Sequence, residues 1–267
     1  MYEKYYGLSE KPFSLTPDTE FFYQSVTHRE ALEVLQVAIH AGDGFIKVTG
    51  EVGTGKTLLC RKLLDSLEAG FDTIYIPNPY MNSGEMLDAV LFELGVGEEK
   101  TREDSLTRIN HCLIENARKG RGTVILLDEA QAMTDECLEA IRLLSNLETG
   151  KQKLVQIVLF GQPELDARLA SDSIRQLRQR IMHHYQLRPL NRESIASYLQ
   201  HRINSAGYRG PDLFDHAAQN RLFKFSQGIP RVINVLCNKA LMLSYASGDF
   251  YVNSKHIEAA AADSQLQ

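Results

Sequence analysis

The chain has 267 residues, enough for one large domain or two modest ones, and for a core that needs neither disulfides nor a structural metal. Charged residues make up 24% and hydrophobic residues 43%, which excludes a disordered chain and a membrane-embedded one. A net charge of −5 excludes nucleic-acid binding by bulk charge and leaves only a local basic patch for that role.

Met1–Gly7 carries no apolar stretch of the signal-peptide kind. Apolar runs such as Val124–Leu127 fall far short of the ~18 residues that a membrane helix needs. The expected location is cytoplasmic, with any work at the inner membrane done as a peripheral, recruited component. Cys60, Cys112, Cys137 and Cys237 form no Cys-x-x-Cys pair and no zinc-like spacing with histidine, so they are expected to be reduced thiols.

Residues 1–27 are rich in aromatics and turn formers (Tyr5, Tyr6, Pro12, Phe13, Pro17, Phe21, Phe22 and Tyr23) and are expected to form an ordered arm. His28–Gly42 reads as a helix, with Ala31, Leu35, Ala38 and Ile39 on one face. Short apolar runs then alternate with helical stretches. Strands are expected at Phe45–Thr49, Asp72–Ile76, Thr123–Leu127 and Leu154–Phe160, with a short fifth near His184–Leu187. Helices are expected at 56–67, Ser83–Leu94, Ser105–Lys119 and Asp135–Leu147. Thr123–Leu127 shows no alternation, as befits a strand buried on both faces. The order implies a parallel sheet covered by helices.

The pattern changes at Pro189. Beyond it the helical stretches are Arg192–Ala206, Asp215–Ser226, Arg231–Ala246 and Ser254–Asp263, with a strand only at Phe250–Val252. The expected organisation is an arm (1–27), an α/β domain (28–190) and a small helical domain (191–267).

Gly50-Glu51-Val52-Gly53-Thr54-Gly55-Lys56-Thr57 satisfies G-x-x-x-x-G-K-[ST] in full, after an expected strand and at the start of an expected helix. The glycines let backbone N–H groups curl around phosphate oxygens, and the helix start adds its positive end. Lys56 would reach the β- and γ-phosphates, and the Thr57 hydroxyl would hold Mg²⁺. Val124–Leu127 runs into Asp128-Glu129, which puts two carboxylates at the carboxyl edge of the sheet. Asp128 would hold the magnesium through water, and Glu129 would orient or deprotonate the attacking water. Gln162 ends another expected strand, and Pro163 stops the ladder there. If that strand lies beside the first, Gln162 points at the γ-phosphate; otherwise it is an ordinary turn amide.

Arg231, in Gly228-Ile229-Pro230-Arg231, opens a helix where an acid is the usual choice. It is read either as a phosphate contact or as a surface salt bridge. Arg168–Arg192 holds six arginines against Asp172, a net +5, and Glu85–Asp104 holds seven acids against two bases, a net −5. These segments read as complementary faces of a head-to-tail assembly with an arginine reaching a neighbour's nucleotide, as two solvated faces, or as a DNA groove. The last is the weakest, because aromatic residues are sparse there.

In this order the pieces resemble an AAA+ ATPase: phosphate loop, Asp128-Glu129, strand-end Gln162, arginine cluster, and Gly-x-Pro-Arg in a helical lid. Further stretches are more specific: Tyr6-Gly7-Leu8 with Pro12-Phe13 and Pro17-Asp18, Gly50-Glu51-Val52-Gly53, Leu144-Ser145-Asn146-Leu147-Glu148, and Gly161-Gln162-Pro163-Glu164-Leu165. Together they resemble the ExeA/GspA family of general-secretion ATPases, over essentially the whole chain, and within it the branch serving the mannose-sensitive haemagglutinin type IV pilus. Secretion members continue into a membrane helix and a wall-binding domain. Neither follows before Gln267, so the pilus branch is expected.

The resemblance implies a P-loop fold with a five-stranded parallel sheet and a small helical lid, and ATP hydrolysis with Mg²⁺ in a homo-oligomeric ring or dimer. Gln162 would be the first sensor and Arg231 the second. An arginine acting in trans would come from 175–180, with Arg178 and Arg180 both open. The function implied is ATP-driven assembly of a pilus or secretion machine. Two alternatives stand beside it. One is a transposition-type regulator coating duplex DNA, against which −5 counts. The other is a nucleotide-gated module that scarcely hydrolyses, against which Asp128 and Glu129 together count.

Overall fold

In a computed structural model, residues 2–67, 70–97, 104–150, 152–171 and 174–265 are described. The chain divides into two compact units. One comprises 28–50 and 59–187; the other comprises 1–27, 51–58 and 188–267.

The first unit is an α/β layer structure. Its helices and strands in chain order are α2 (Val26–Ala41, after a short α1 at Tyr2–Tyr6 in the other unit), β1 (Phe45–Gly50), α3 (Lys56–Leu67), β2 (Phe71–Ile76), α4 (Ser83–Glu93), α5 (Ser105–Arg118), β3 (Gly122–Leu127), α6 (Asp135–Leu144), β4 (Gln156–Gly161), α7 (Pro163–Leu169), α8 (Arg175–Arg178) and β5 (Ile181–Leu187). The five strands lie in the order β2-β3-β4-β1-β5, and every pairing is parallel.

Both faces of the sheet are buried, and β1, β3 and β4 are buried along nearly their whole length. On one face Ile46, Val48, Val124, Leu126, Val158 and Phe160 pack with Leu35 and Ile39 of α2 and with Leu59 and Leu63 of α3. On the other, Phe45, Ile125, Leu127, Ile157 and Leu159 pack with side chains of α4 to α7. The helix after β1 and the helix after β4 therefore cover opposite faces. Adjacent parallel strands arranged this way open a crevice at their carboxyl ends, the usual ligand position in open α/β sheets.

Three local expectations are corrected. The helix expected at Asp135–Leu147 ends at Leu144, because Ser145 caps it and the chain turns into an antiparallel bridge between Glu148 and Lys153. The fifth strand starts at Ile181, not His184. It is one of the two edge strands, and its polar residues hide its length. The strand expected at Phe250–Val252 is a single bridge between Phe214 and Val252.

The second unit is helical: α9 (Ser194–Ser205), α10 (His216–Ser226), α11 (Pro230–Ser247) and α12 (Ser254–Asp263) share a core with the arm's Tyr2, Tyr6, Phe13 and Phe21. Arg202 of α9 is buried, and its guanidinium donates to the carbonyls of Pro12 (2.7 Å), Ser14 (3.1 Å) and Phe21 (3.3 Å) while lying 4.7 Å from the Phe21 ring centre. Burial lowers its pKa from the ordinary arginine value. The charge is held by backbone dipoles and an aromatic face, so loss of the guanidinium strands several carbonyls. Arg202→Met is expected to destabilise the helical unit by about 3 kcal/mol. It should also open residues 9–25 to protease, read by urea denaturation and by mapping of cleavage sites.

Next to it, His201 has its Nε2 buried without a hydrogen-bond partner among the described residues. Burial first, then the Arg202 charge, lowers its pKa from 6.5. The folded state thus keeps this ring neutral where the unfolded chain takes up a proton. Its contribution is whole above pH 6.5 and is lost as pH falls through the lower, folded-state pKa. His201→Gln should flatten the decline of the denaturation midpoint below that pH, and an unchanged decline would remove His201 as its source.

Candidate functional site

Gly50 closes β1, and the chain leaves the sheet beside the end of β4, with Thr49 paired to Gly161. Gly53 and Gly55 take φ of +83° and +98°, values that suit glycine and bend the loop 51–55 into a tight coil before α3 begins at Lys56. The Glu51 carbonyl gathers three donors: Thr54 N (3.2 Å), Thr54 Oγ1 (2.8 Å) and Lys56 Nζ (3.0 Å). Thr54 and Lys56 are buried, whereas Glu51 and Val52 are exposed. The loop is therefore a small hydrogen-bonded coil with an ammonium group inside it, at a helix N-terminus: a built setting for phosphate.

In the same unit the loop meets the start of α11. Arg231 N donates to the Gly53 carbonyl at 3.2 Å, and a Cβ on Gly53 would stand 2.5 Å from that of Arg231. A side chain at 53 is thus excluded twice, by φ and by Arg231. Gly228, also at positive φ, is fixed similarly: its carbonyl accepts from Leu190 N at 2.9 Å, and a Cβ there would lie 1.9 Å from the Leu190 carbonyl oxygen. The Gly-Ile-Pro-Arg turn is so held to Leu190 on one side and to the phosphate loop on the other. The Arg231 side chain is exposed, and among the described residues its guanidinium forms no ion pair.

In the α/β unit, Asp128 and Glu129 follow β3 directly. Asp128 is buried, and its Oδ1 accepts from Glu129 N at 2.9 Å. Glu129 sits in the left-handed region (φ 53°, ψ 38°), an uncommon place for a residue with a side chain and one that clusters at functional sites. Its Oε2 accepts from Gln162 Nε2 at 3.0 Å and from Gln131 Nε2 at 2.5 Å. The pairing of β3, β4 and β1 explains this meeting: Gln162, one residue past β4, stands between the strand that carries the acids and the strand that leads to the loop. Burial, with Cys60 and Asp128 nearby, pushes the Tyr75 phenol up to about 12. The Cys60 thiol is also held well above its usual range by burial and by Asp128.

The basic segment is not one face. Arg168 is engaged within its own unit: its Nη1 donates to the carbonyls of Gln131 (2.9 Å) and Met133, and its Nη2 to Asp135 Oδ1 (2.6 Å). Arg192 donates to Asn220 Oδ1. Arg175 and Arg178 are exposed and Arg180 is half-buried. Asp172, and Glu98 to Glu103 of the acidic segment, lie outside the described residues.

Two groups at the site escaped the sequence reading. Gln131 carried a signal only as a polar side chain two residues after Glu129. Lys47, on β1, pairs with Asp166 of α7 and so ties the helix that follows Gln162 to β1. Next to it Thr49 Oγ1 lies 3.0 Å from His184 Nε2.

Mg²⁺ and a nucleotide fit these residues chemically. The Thr57 hydroxyl and the Asp128 carboxylate are hard oxygen donors, and among the described residues no cluster of three or more His, Cys, Asp or Glu forms a cage. One or two protein oxygens completed by phosphates is how Mg²⁺ is usually bound.

A family model described as AAA domain matches residues 39–169. The α/β fold of this segment, a five-stranded parallel sheet covered by helices, is the fold of an AAA domain. Such a domain implies nucleotide binding. The chain is 40% identical over 263 residues to general secretion pathway protein A of Aeromonas hydrophila, a match covering 98% of this chain and 48% of that protein. The chain spans about half the length of this relative. Among solved structures it is similar to the ORC2 protein of Aeropyrum pernix (TM-score 0.67, 16% identity, 95% of this chain and 71% of that one) and to the RuvB Holliday junction branch migration motor of Thermotoga maritima (TM-score 0.61, 16% identity, 91% and 72%). At these identities the likeness is one of fold. Among the described residues no helix is long and apolar enough to cross a membrane.

Proposed function

We propose that the chain binds MgATP and hydrolyses it, and that hydrolysis drives or gates assembly of a secretion or type IV pilus machine at the cytoplasmic face of the inner membrane. The observation that carries the enzymatic part is Glu129, a carboxylate held by two amides at the end of β3. A binding-only module has no use for it. The secretion part is supported by the 40% identity to the Aeromonas protein, and the finer likeness to MshM of the haemagglutinin pilus by the motifs of the arm and of β4.

In this reading the backbone of Gly50–Gly55 and the Lys56 ammonium hold the β- and γ-phosphates, and Thr57 and Asp128 hold the metal. The bound metal supplies positive charge against the negative charge that develops on the transferred phosphoryl group. Glu129 accepts a proton from the attacking water, and the Gln162 amide orients that water. Arg231 reads the phosphate from the helical unit. Little covalent chemistry is asked of the protein; positioning and charge supply the rate.

Lys56→Ala is expected to weaken ATP binding by about 2–3 kcal/mol, roughly 100-fold in Kd. Glu129→Gln should bind ATP like wild type and lose roughly 10²–10⁴-fold in kcat. Calorimetry and phosphate release read the two effects. Equal ATP affinity in wild type and Lys56→Ala would sink the loop assignment, and equal turnover in wild type and Glu129→Gln would leave the nucleotide-gated module.

The exposed Arg175 and Arg178, with Arg180 beside them, supply an arginine to a neighbour's nucleotide in this reading, so a homo-oligomer is the active form. Specific activity should rise with protein concentration, by up to ~10³-fold at saturation, and an Arg178→Ala, Arg180→Ala double variant should abolish the rise. Activity proportional to concentration throughout the range would exclude an arginine in trans.

A further inference from the structure

The amide of Gln131 makes two bonds that point in different directions. Its Nε2 donates to Glu129 Oε2 at 2.5 Å, and its Oε1 accepts from the backbone N–H of Gln162 at 3.0 Å. The second bond fixes which end of the amide is which: an N–H needs an acceptor, so the oxygen faces Gln162 and the nitrogen faces the carboxylate. Gln162 in turn places its own Nε2 on the same Oε2 at 3.0 Å. Three side chains thus close a ring across the ends of β3 and β4.

The ring has an asymmetry. Both amides reach Oε2 of Glu129 and neither reaches Oε1. One carboxylate oxygen is engaged by donors, and the other keeps its lone pairs for a further proton donor. The ring is also braced from behind. Arg168, on the helix that starts right after Gln162, donates to the Gln131 carbonyl at 2.9 Å, so the Gln131 backbone and the Gln162 backbone are tied to one element. Glycine at 161 makes room for Leu165 of the same helix, whose Cδ2 would stand 2.6 Å from a Cβ there.

We propose that Gln131 is a positioning residue for hydrolysis: it holds Glu129 by Oε2 and turns Oε1 toward the water, while fixing the backbone from which Gln162 reaches the same water. This rests on the reading that Glu129 takes a proton from water during ATP hydrolysis. A carboxylate on a freely rotating side chain spends only part of its time in the reactive geometry, and small misplacements of reacting groups are costly. Gln131 is half-buried and its side chain bonds to Glu129 and to the Gln162 backbone, so a loss of positioning is read in kcat and a loss of structure in the melt.

The test uses Gln131→Met, which keeps the length and removes both hydrogen-bonding atoms, and Gln131→Glu, which keeps the acceptor for Gln162 N–H and replaces the donor by a second carboxylate. The full chain is assayed by steady-state phosphate release, ATP calorimetry and thermal melting, with wild type and Glu129→Gln run alongside. The expected result for Gln131→Met is ATP affinity and KM within twofold of wild type, with kcat lower by about 10- to 100-fold. Gln131→Glu should lose at least as much, because the retained acceptor does not restore the grip on Glu129. In a Glu129→Gln background Gln131→Met should change the residual rate less than twofold, since the carboxylate it positions is gone. A kcat within twofold of wild type in Gln131→Met, or the same loss in both backgrounds, overturns the proposal while leaving Glu129 in place. Rescue of kcat by Gln131→Glu overturns it too. Equal turnover by wild type and Glu129→Gln removes the proposal together with the reading on which it rests. Should Gln131→Met lose its cooperative melt, Gln131→Glu and its combination with Glu129→Gln decide the same question.

Discussion

Everything at the sheet's carboxyl edge depends on one pairing, the parallel alignment of β4 between β3 and β1. It sets Gly161 beside Thr49 and Leu159 beside Leu127, so the strand leading to the phosphate loop, the strand ending in the acids and the strand ending in Gln162 finish side by side. The pairing is stable because both faces of these strands are apolar and covered. The one charge admitted into that apolar layer on β1, Lys47, is paired with Asp166 and ties down the helix that starts where Gln162 leaves the sheet. The Asp166 side chain stays 36% exposed, so the pair adds little net stability, but other arrangements of the helix are penalised because they would leave the Lys47 charge buried alone.

The helical unit is organised by close backbone approach. Two glycines that the sequence places in different motifs, Gly53 in the phosphate loop and Gly228 before α11, both receive atoms that would collide with a side chain. Through them the turn 227–231 touches both the loop and Leu190. A shift of α11 along its axis would be felt at Gly53 without any intervening side chain. That is a short mechanical path for a nucleotide-dependent change to take, and backbone contacts leave little slack in it.

Much of this was legible in the sequence because the signals were dense and local. The phosphate loop lies in eight consecutive residues, and the Val124–Leu127 strand declares itself by lacking any polar alternation. What escaped was long-range. Gln131 gains its role from β4, which adds Gln162 from 31 positions away, and no pattern around residue 131 shows that. Arg168 counts as one more positive charge in a basic segment until the fold turns it inward onto Gln131 and Asp135. Lys47 sits in Phe-Ile-Lys-Val-Thr, where an isolated lysine looks like a surface residue, and its partner Asp166 is 119 positions away. The edge strand β5 is longer than its sequence signals, because His183, His184 and Gln186 interrupt the apolar residues.

The way Arg202 holds the N-terminal arm has a consequence for how this chain can vary. The guanidinium binds carbonyl oxygens at positions 12, 14 and 21, and every amino acid carries a carbonyl. Apart from the Phe21 ring, the anchor is therefore indifferent to side chains along the arm and reads its path. Substitutions at exposed arm positions such as Leu15, Thr16 and Glu20 leave the clamp as it is, whereas an insertion or deletion between 12 and 21 shifts the carbonyls out of reach. At those exposed positions the arm is free to drift in composition, but its length between these carbonyls is not.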